Sequence, residues 1–299
     1  MPDKLLQLKN DLVFQKVFGM QKNSTITAHF LSLILGREVH DLDLDVNKRM
    51  LSSRSNSKTG RLDIRAKFNN GEDCNIELQV MPYPYMTERM LEYWSRMYDN
   101  KINSGQSYKV LKPSISILIA DYELDELKDI SKYHTIWNLR EKDFCEKIIT
   151  RNIEMHVLEI PKIENMEILN DELAQWLKFI ENPGNEEVDK VMSENIFLKQ
   201  AKEELAHLSG DPDFQRLVES REGMLKDIYC FKEEAREKGL EEGRKEGRKK
   251  GREEGRKEGR EEGEISNAKK IAQKMKAKNM PIDEIAELTE LSKEEIEKL

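Results

Sequence analysis

The 299-residue chain has only three cysteines, Cys74, Cys145 and Cys230. They lie far apart without Cys-x-x-Cys spacing, which excludes a zinc knuckle, a redox pair or a disulfide framework and fits a reducing cytoplasm. Long apolar runs are missing too. No stretch approaches the roughly 18–20 apolar residues of a spanning helix, and residues 1–10 hold no signal-type apolar core. A protein that neither spans a membrane nor leaves the cytoplasm by a standard route is therefore expected. Excess positive charge is also lacking. The net charge is −8, so no global field draws the chain to nucleic acid, and any DNA contact must be a local basic patch. The histidines, at 29, 40, 134, 156 and 207, form no H-E-x-x-H pair, and neither a G-x-S-x-G elbow nor a Walker A loop occurs.

What is there is unevenly distributed. Hydrophobic residues make up 37% and charged residues 36%, too polar for one large core, and nearly all strand-like apolar runs fall in the first 160 residues. The length suits one domain of about 150–200 residues with an extra module. Asn10 and Asp11 precede Leu12, Val13, Phe14, Val17 and Phe18, a capped helix that stops at Gly19. A second helix is expected over 24–35, ending at Gly36. A strand-like stretch around Leu44-Asp45-Val46 follows, then a Ser/Asn/Lys-rich loop (52–59), then alternating segments over 61–68 and 72–80. A long helix over 86–104 carries Met86, Met90, Tyr93, Trp94 and Met97 on one stripe. Ser114 to Ala120 reads as a buried strand, with further strands over 133–139 and 153–160. The fold class is α/β: a mixed-sheet core in the order helix, three strands, helix, strand, followed by a helical C-terminal region. Four segments are expected: the core over 1–160, a helical extension over 161–237, a Gly/Glu/Arg/Lys-rich repeat over 238–264 and a small helical module over 265–299.

The hairpin between the alternating segments carries the chemistry. Asn69-Asn70-Gly71 suits a three-residue loop whose last position needs positive φ, which glycine supplies. That loop pairs Phe68 with Glu72, and so places Asp63 opposite Glu77, Arg65 opposite Asn75, Lys67 opposite Asp73 and Arg61 opposite Gln79 on one face. Leu62, Ile64, Ile76 and Leu78 share the other. Directly opposed side chains have Cβ atoms about 4.5–5.5 Å apart, and Glu77 and Gln79 stand roughly 6–7 Å apart along one strand. Two acids so close repel unless a divalent cation lies between them. Oxygen ligands of this kind suit Mg²⁺, which acidifies a bound water and offsets charge on a phosphate. A plain amphipathic hairpin, its polar face in solvent, reads from the same spacing, because the like-charge penalty is only ~0.2–1 kcal/mol.

Leu62-Asp63 and Glu77-Leu78-Gln79 resemble the PD-(D/E)XK nuclease signature, an acid on one strand and an acid-x-lysine on the next. With Asn10-Asp11-Leu12-Val13-Phe14-Gln15-Lys16-Val17-Phe18-Gly19, Arg61-Leu62-Asp63-Ile64, Ile76-Glu77-Leu78-Gln79 and Arg89 to Tyr98, residues 5–160 resemble the Rpn family of recombination-promoting nucleases, whose members also carry a transposase label. The resemblance implies a restriction-endonuclease-like core, Mg²⁺-dependent DNA endonuclease activity and promotion of recombination. It implies that Asp63 and Glu77 are metal ligands, with the Leu78 main-chain carbonyl a third. Gln79 stands where the wider superfamily has lysine, so it could orient the water but carries no charge for the phosphate. Asp11 matches an extra N-terminal acid of many such nucleases, or else caps its helix. Arg89 and Arg96, seven apart on one helix, could meet DNA phosphates or be ordinary solvated arginines.

Glycines at 239, 243, 247, 251, 255, 259 and 263 recur every four residues. Between Glu233 and Glu264 eleven Lys/Arg stand against twelve Glu, a mixed-charge run and not a basic arm. As a helix it carries seven glycines costing ~1 kcal/mol each against alanine, partly offset by pairs three or four apart, and alone it is expected to be marginal. Beyond it, 268–278, 281–288 and 292–299 read as three short helices resembling a helix-turn-helix. The final one, Lys293-Glu294-Glu295-Ile296-Glu297-Lys298-Leu299, is glutamate-rich, which favours self-association or docking over base reading. The sequence thus points to a DNA nuclease, with DNA as partner and a homo-oligomer formed through the C-terminal region. A catalytically silent DNA-associated or regulatory protein of the same fold stands as the alternative, and a transposase behind it.

Overall fold

Asn10 opens the first helix: its Oδ1 accepts from Leu12 N at 3.0 Å while its own backbone stays extended. This cap satisfies a main-chain donor that the helix cannot. Helix α1, Asp11–Phe18, turns its apolar side inward, and α2, Ser24–Leu35, ends at Gly36 with φ +63°, where the lack of a Cβ removes the left-handed penalty. Phe14, Phe18 and Phe30 pack in series as tilted ring pairs, and Phe18 and Phe30 meet Trp176 from a later helix. Gly19 seats the end of α1 on the sheet. A Cβ there would collide with Val46 Cγ1 and lie 2.7 Å from Gln15 O.

The structure is a computed structural model, which describes residues 4–46, 49–50, 60–61, 64–102, 104–192 and 194–299, with 49–50 and 60–61 as main chain. Two of the predicted positions, Leu62 and Asp63, lie outside the described residues, as does the stretch 52–59 expected as a loop.

Strands β1 (Leu42–Val46), β2 (Arg49–Met50), β3 (Gly60–Arg61), β4 (Ile64–Phe68) and β5 (Asp73–Gln79) follow, then helix α3 (Met86–Asp99), and strands β6 (Ser114–Ala120), β7 (His134–Trp137) and β8 (Ile153–Glu159). Among the described residues six of these strands form one mixed sheet in the order β1-β4-β5-β6-β8-β7, while β2 and β3 pair apart. The β1, β4 and β5 pairings are antiparallel, β5-β6 and β6-β8 are parallel, and β7 returns antiparallel at the edge. This is the expected α/β core of helix, three strands, helix, strand.

One sheet face, with Ile64, Cys74, Ile76, Leu78, Ile115, Ile117 and Ile119, packs on α1 and α2 in the main core. The other lies under α3, where Met86 and Met90 pack on Leu118, Ala120 and Val157. Helices α4 (Glu172–Glu181), α5 (Glu186–Val191) and α6 (Ile196–Ser209) join the first of these layers through Trp176, Phe179, Val188, Leu198 and Leu205. Helix α3 ends at Asp99, shorter than expected. Asn100 Nδ2 donates to Arg96 O at 2.7 Å, and Lys101 Nζ donates to Lys112 O and Pro113 O, turning the chain before Gly105.

Helix α7 runs from Pro212 to Lys276, 65 residues, straight through the glycine repeat. Glu234–Lys238, Glu241–Lys245, Glu246–Lys250 and Arg260–Glu264 pair at four-residue spacing along it. All are exposed pairs, which contribute little to stability, so they offset only part of the glycine cost. The chain divides into two compact units, 1–222 and 223–299. In the second, the end of α7 packs with α8 (Ile282–Thr289) and α9 (Lys293–Glu297) around Ala272, Ile285, Leu291 and Ile296. Ser292 and Glu295 form a reciprocal capping box on α9. No helix among the described residues is long and apolar enough to cross a membrane.

Candidate functional site

The hairpin forms in the predicted register. Gly71, φ +86°, closes the loop with its N–H on Phe68 O at 2.9 Å, and Phe68 N donates to Glu72 O at 3.0 Å. Ile64 then faces Ile76, Arg65 faces Asn75 and Lys67 faces Asp73. The described pairing stops there, so the predicted pairs Asp63 with Glu77 and Arg61 with Gln79 are not described. Alternation along β5 puts Asp73, Asn75, Glu77 and Gln79 on the α3 side of the sheet.

That polar strip is not solvated. Asp73 is 5% exposed, Asn75 0% and Glu77 3%, which removes the reading of a hairpin whose polar face simply meets water. Burying charge without partners costs several kcal/mol per ion, and the partners are there. Arg65 Nη2 donates to Asp73 Oδ2 at 2.7 Å, with Lys101 Nζ 3.7 Å from the same oxygen. Burial lowers the Lys101 ammonium below its usual range, and Asp73 opposes that shift. Next along the strand, Asn75 has neither side-chain polar atom hydrogen-bonded among the described residues, and the Nε of Arg65 and the hydroxyl of Ser114 are likewise unpaired. Such atoms cost about 1–3 kcal/mol each, a penalty that an apolar strand would avoid.

Glu77 is gripped by Arg89, whose Nη2 lies 2.6 Å from Glu77 Oε1. The guanidinium sits against two aromatic rings, 5.0 Å from the centre of Tyr83 and 5.2 Å from that of Tyr93, and its Nε donates to Tyr93 Oη at 3.0 Å. Burial raises the Tyr122 phenol above the usual range, with the charge of Glu77 adding to the effect. Tyr85, held at φ +62°, caps α3 and accepts the Arg89 main-chain N–H at 3.1 Å. At the open end of β5, Gln79 Nε2 donates to Met81 O at 3.0 Å. Its main-chain carbonyl accepts from Asp121 N at 3.0 Å, and the Asp121 carboxylate in turn pairs with Lys9 at 2.9 Å.

The remaining predicted residues lie as follows. Leu78 pairs with Ile119 in the parallel ladder, its side chain in the core. Asp11 is not the helix cap, which is Asn10; it lies inside the first turn, its carboxylate taking two N–H groups of Arg221. Arg96 is not a solvated arginine. Its side chain is largely buried, it pairs with Glu92 one turn back, and its Nη1 has no hydrogen-bond partner among the described residues. Among the described residues no three His, Cys, Asp or Glu side chains converge as a metal site; Asp63 lies outside them. The buried carboxylate of Glu77 and the amide of Gln79 are hard oxygen donors, a set suited to Mg²⁺ and not to a soft metal.

Sequence reasoning missed the aromatic clamp. Tyr93 was on the predicted stripe, but Tyr83 reaches Arg89 only through a turn that no periodicity marks. It missed a pair of histidines as well. Pairing of β7 with β8 sets His134 Nε2 2.9 Å from His156 Nδ1, and His156 Nε2 lies 2.9 Å from Glu154 Oε1. Burial, then the neighbouring imidazole, lowers His134 to about 4, while the hydrogen bond from His156 lowers Glu154.

No curated protein and no solved structure matches the chain. The model of one family, described as PD-(D/E)XK nuclease family transposase, matches residues 8–235, a span that holds α1, the hairpin, α3 and the whole sheet. With most of its length covered by that match, the chain belongs to the PD-(D/E)XK nuclease family transposases.

Proposed function

We propose that this protein is a metal-dependent DNA endonuclease that hydrolyses phosphodiester bonds and promotes recombination, working at Asp63, Glu77 and Gln79. The observation that carries the reading is Glu77, an acid on the central hairpin, buried to 3% exposure beneath α3 where an apolar residue would serve stability better. Membership of a nuclease family supports it.

Asp63 and Glu77, with the Leu78 carbonyl, would hold Mg²⁺, whose contribution when bound is to acidify a water and to neutralise charge on the scissile phosphate. The chain's own residues then position. Gln79 has its amide nitrogen fixed on Met81 O, which turns its amide oxygen into the acceptor that orients an attacking water. Arg89 supplies a cation for the DNA backbone, whereas Arg96, one helical heptad on, is largely buried and engaged by Glu92. Purified protein is expected to convert supercoiled plasmid to nicked or linear forms in Mg²⁺, to stop on chelation and to resume when excess Mg²⁺ is restored. Activity indifferent to chelation would overturn the metal requirement.

A silent, regulatory protein of the same fold is favoured by one observation, the 2.6 Å ion pair that already neutralises Glu77. Metal binding that depends on Glu77 separates the two readings. A homo-oligomer through the C-terminal region rests on Met224, Ile228 and Phe231, exposed at alternating four- and three-residue spacing on α7. Light scattering is expected to give a multiple of the chain mass, falling to one chain in the Ile228→Glu, Phe231→Glu double variant; a monomer from the outset would contradict this.

A further inference from the structure

An arginine bound to a buried carboxylate usually reads as structural neutralisation, but the surroundings of Arg89 give it a second role. The guanidinium remains charged at any working pH, so it cannot make way for another cation by losing a proton. A divalent ion on Glu77 Oε1 would share that oxygen with a positive group now 2.6 Å away, and like charges at this separation inside a protein repel strongly. For the metal to enter, the guanidinium must move. Among the described residues, two ring faces and a hydrogen bond to Tyr93 Oη are among the contacts that hold it, and such contacts are adjustable. Its side chain is 29% exposed while that of Glu77 is 4% exposed, so an anion from solvent reaches the arginine before it reaches the acid. A phosphodiester oxygen pair fits the planar guanidinium fork in the same way that a carboxylate does.

We infer that Arg89 is a competing counter-ion that holds Glu77 closed to divalent cations until a DNA phosphate takes the guanidinium, so that metal loading and DNA binding are coupled. The inference rests on the reading of Glu77 as a metal ligand. Coupling is reciprocal: a phosphate that withdraws Arg89 raises metal affinity, and metal on Glu77 raises affinity for DNA by the same factor. The arginine thus binds the phosphate itself and sets metal access through Glu77.

Calorimetric titration of the full chain with Ca²⁺, alone and with a short DNA duplex, tests this. The wild type is expected to bind Ca²⁺ weakly alone and more tightly with duplex, within the usual coupling range of about 5–150-fold. Arg89→Gln should bind Ca²⁺ several-fold more tightly than the wild type without DNA and lose most of the duplex enhancement, whereas Arg89→Lys should keep the competition. Unchanged or weaker Ca²⁺ binding by Arg89→Gln alone, or an intact duplex enhancement, overturns the inference. Tyr93→Phe removes only the hydroxyl that holds Nε and carries the test if Arg89→Gln does not fold: tighter Ca²⁺ binding supports the inference and unchanged binding overturns it. Glu77→Gln distinguishes the underlying reading. If that variant binds Ca²⁺ as the wild type does, or if no protein binds it under either condition, Glu77 is not a ligand and the inference falls with it.

Discussion

Each acid on the buried strip of β5 has a cation within reach, and the way each pair is built sets what it can do. Asp73 is shared by Arg65 and Lys101 beneath the end of α3, a closed structural network. Glu77 instead faces an arginine resting on aromatic rings with a path to solvent. The sequence made the acids legible, because Asn69-Asn70-Gly71 sets the register and period-two alternation sets the face. It did not reveal that they are buried, since that depends on α3, which starts at Met86 beyond the turn after β5, crossing over the strand. The histidine pair was hidden for the same reason, as His134 and His156 meet only once β7 folds back on β8. That pair yields a prediction. His134 is lowered in the folded state to about 4 from an ordinary 6.5, so the unfolded chain binds the extra proton between these values. Its contribution to stability is complete above pH 6.5 and is lost as pH falls toward 4. Thermal midpoints should therefore drop between pH 7 and pH 5, and the drop should shrink in His134→Gln; an equal drop in the variant would show that the imidazole is not the cause.

Elements with strong local signals formed where residue chemistry placed them. Ser114 to Ala120 is a strand over the expected span, because Ile at alternate positions is buried on the α1 side while Leu118 and Ala120 pack under α3. Helix α2 stops at Gly36 as its left-handed cap requires. Boundaries set by distant partners were not legible. The α3 terminus depends on Lys101 reaching two carbonyls of the segment before β6, and β7 covers only His134–Trp137 of a longer β-prone run. The glycine repeat is the sharpest divergence from expectation, a continuous helix where propensity argued for a marginal one. Helix polar all round has no tertiary face to hold it, and a Cβ at Gly243, Gly247, Gly251 or Gly255 would meet nothing within 4 Å. Alanine at these four positions should then raise helical stability by about 1 kcal/mol each, read as stronger circular dichroism at 222 nm and later thermal loss. No gain would mean that the repeat is already held helical by contacts beyond its own chain.

At the scale of the molecule the chain divides into two compact units, 1–222 and 223–299, and the proposed chemistry and the proposed assembly fall in different ones. The first unit supplies the sheet, the hairpin and the clamp within a nuclease-family match covering residues 8–235. The second contributes a capped three-helix end whose last helix, rich in glutamate, suits contact with protein better than with phosphate. A net charge of −8 requires any DNA engagement to be local and salt-sensitive, which fits the proposed exchange of Arg89 from Glu77 to a phosphate. The central claim is that Asp63 and Glu77 do the cutting, and plasmid cleavage in Mg²⁺ at low salt by wild type, Asp63→Ala and Glu77→Ala at matched concentration tests it most directly. The expected result is cleavage by the wild type and a loss of about a hundredfold or more in each variant, since removing even outer-shell partners of a metal costs 10–100-fold. No cleavage by the wild type, or cleavage that neither substitution changes, would contradict the account.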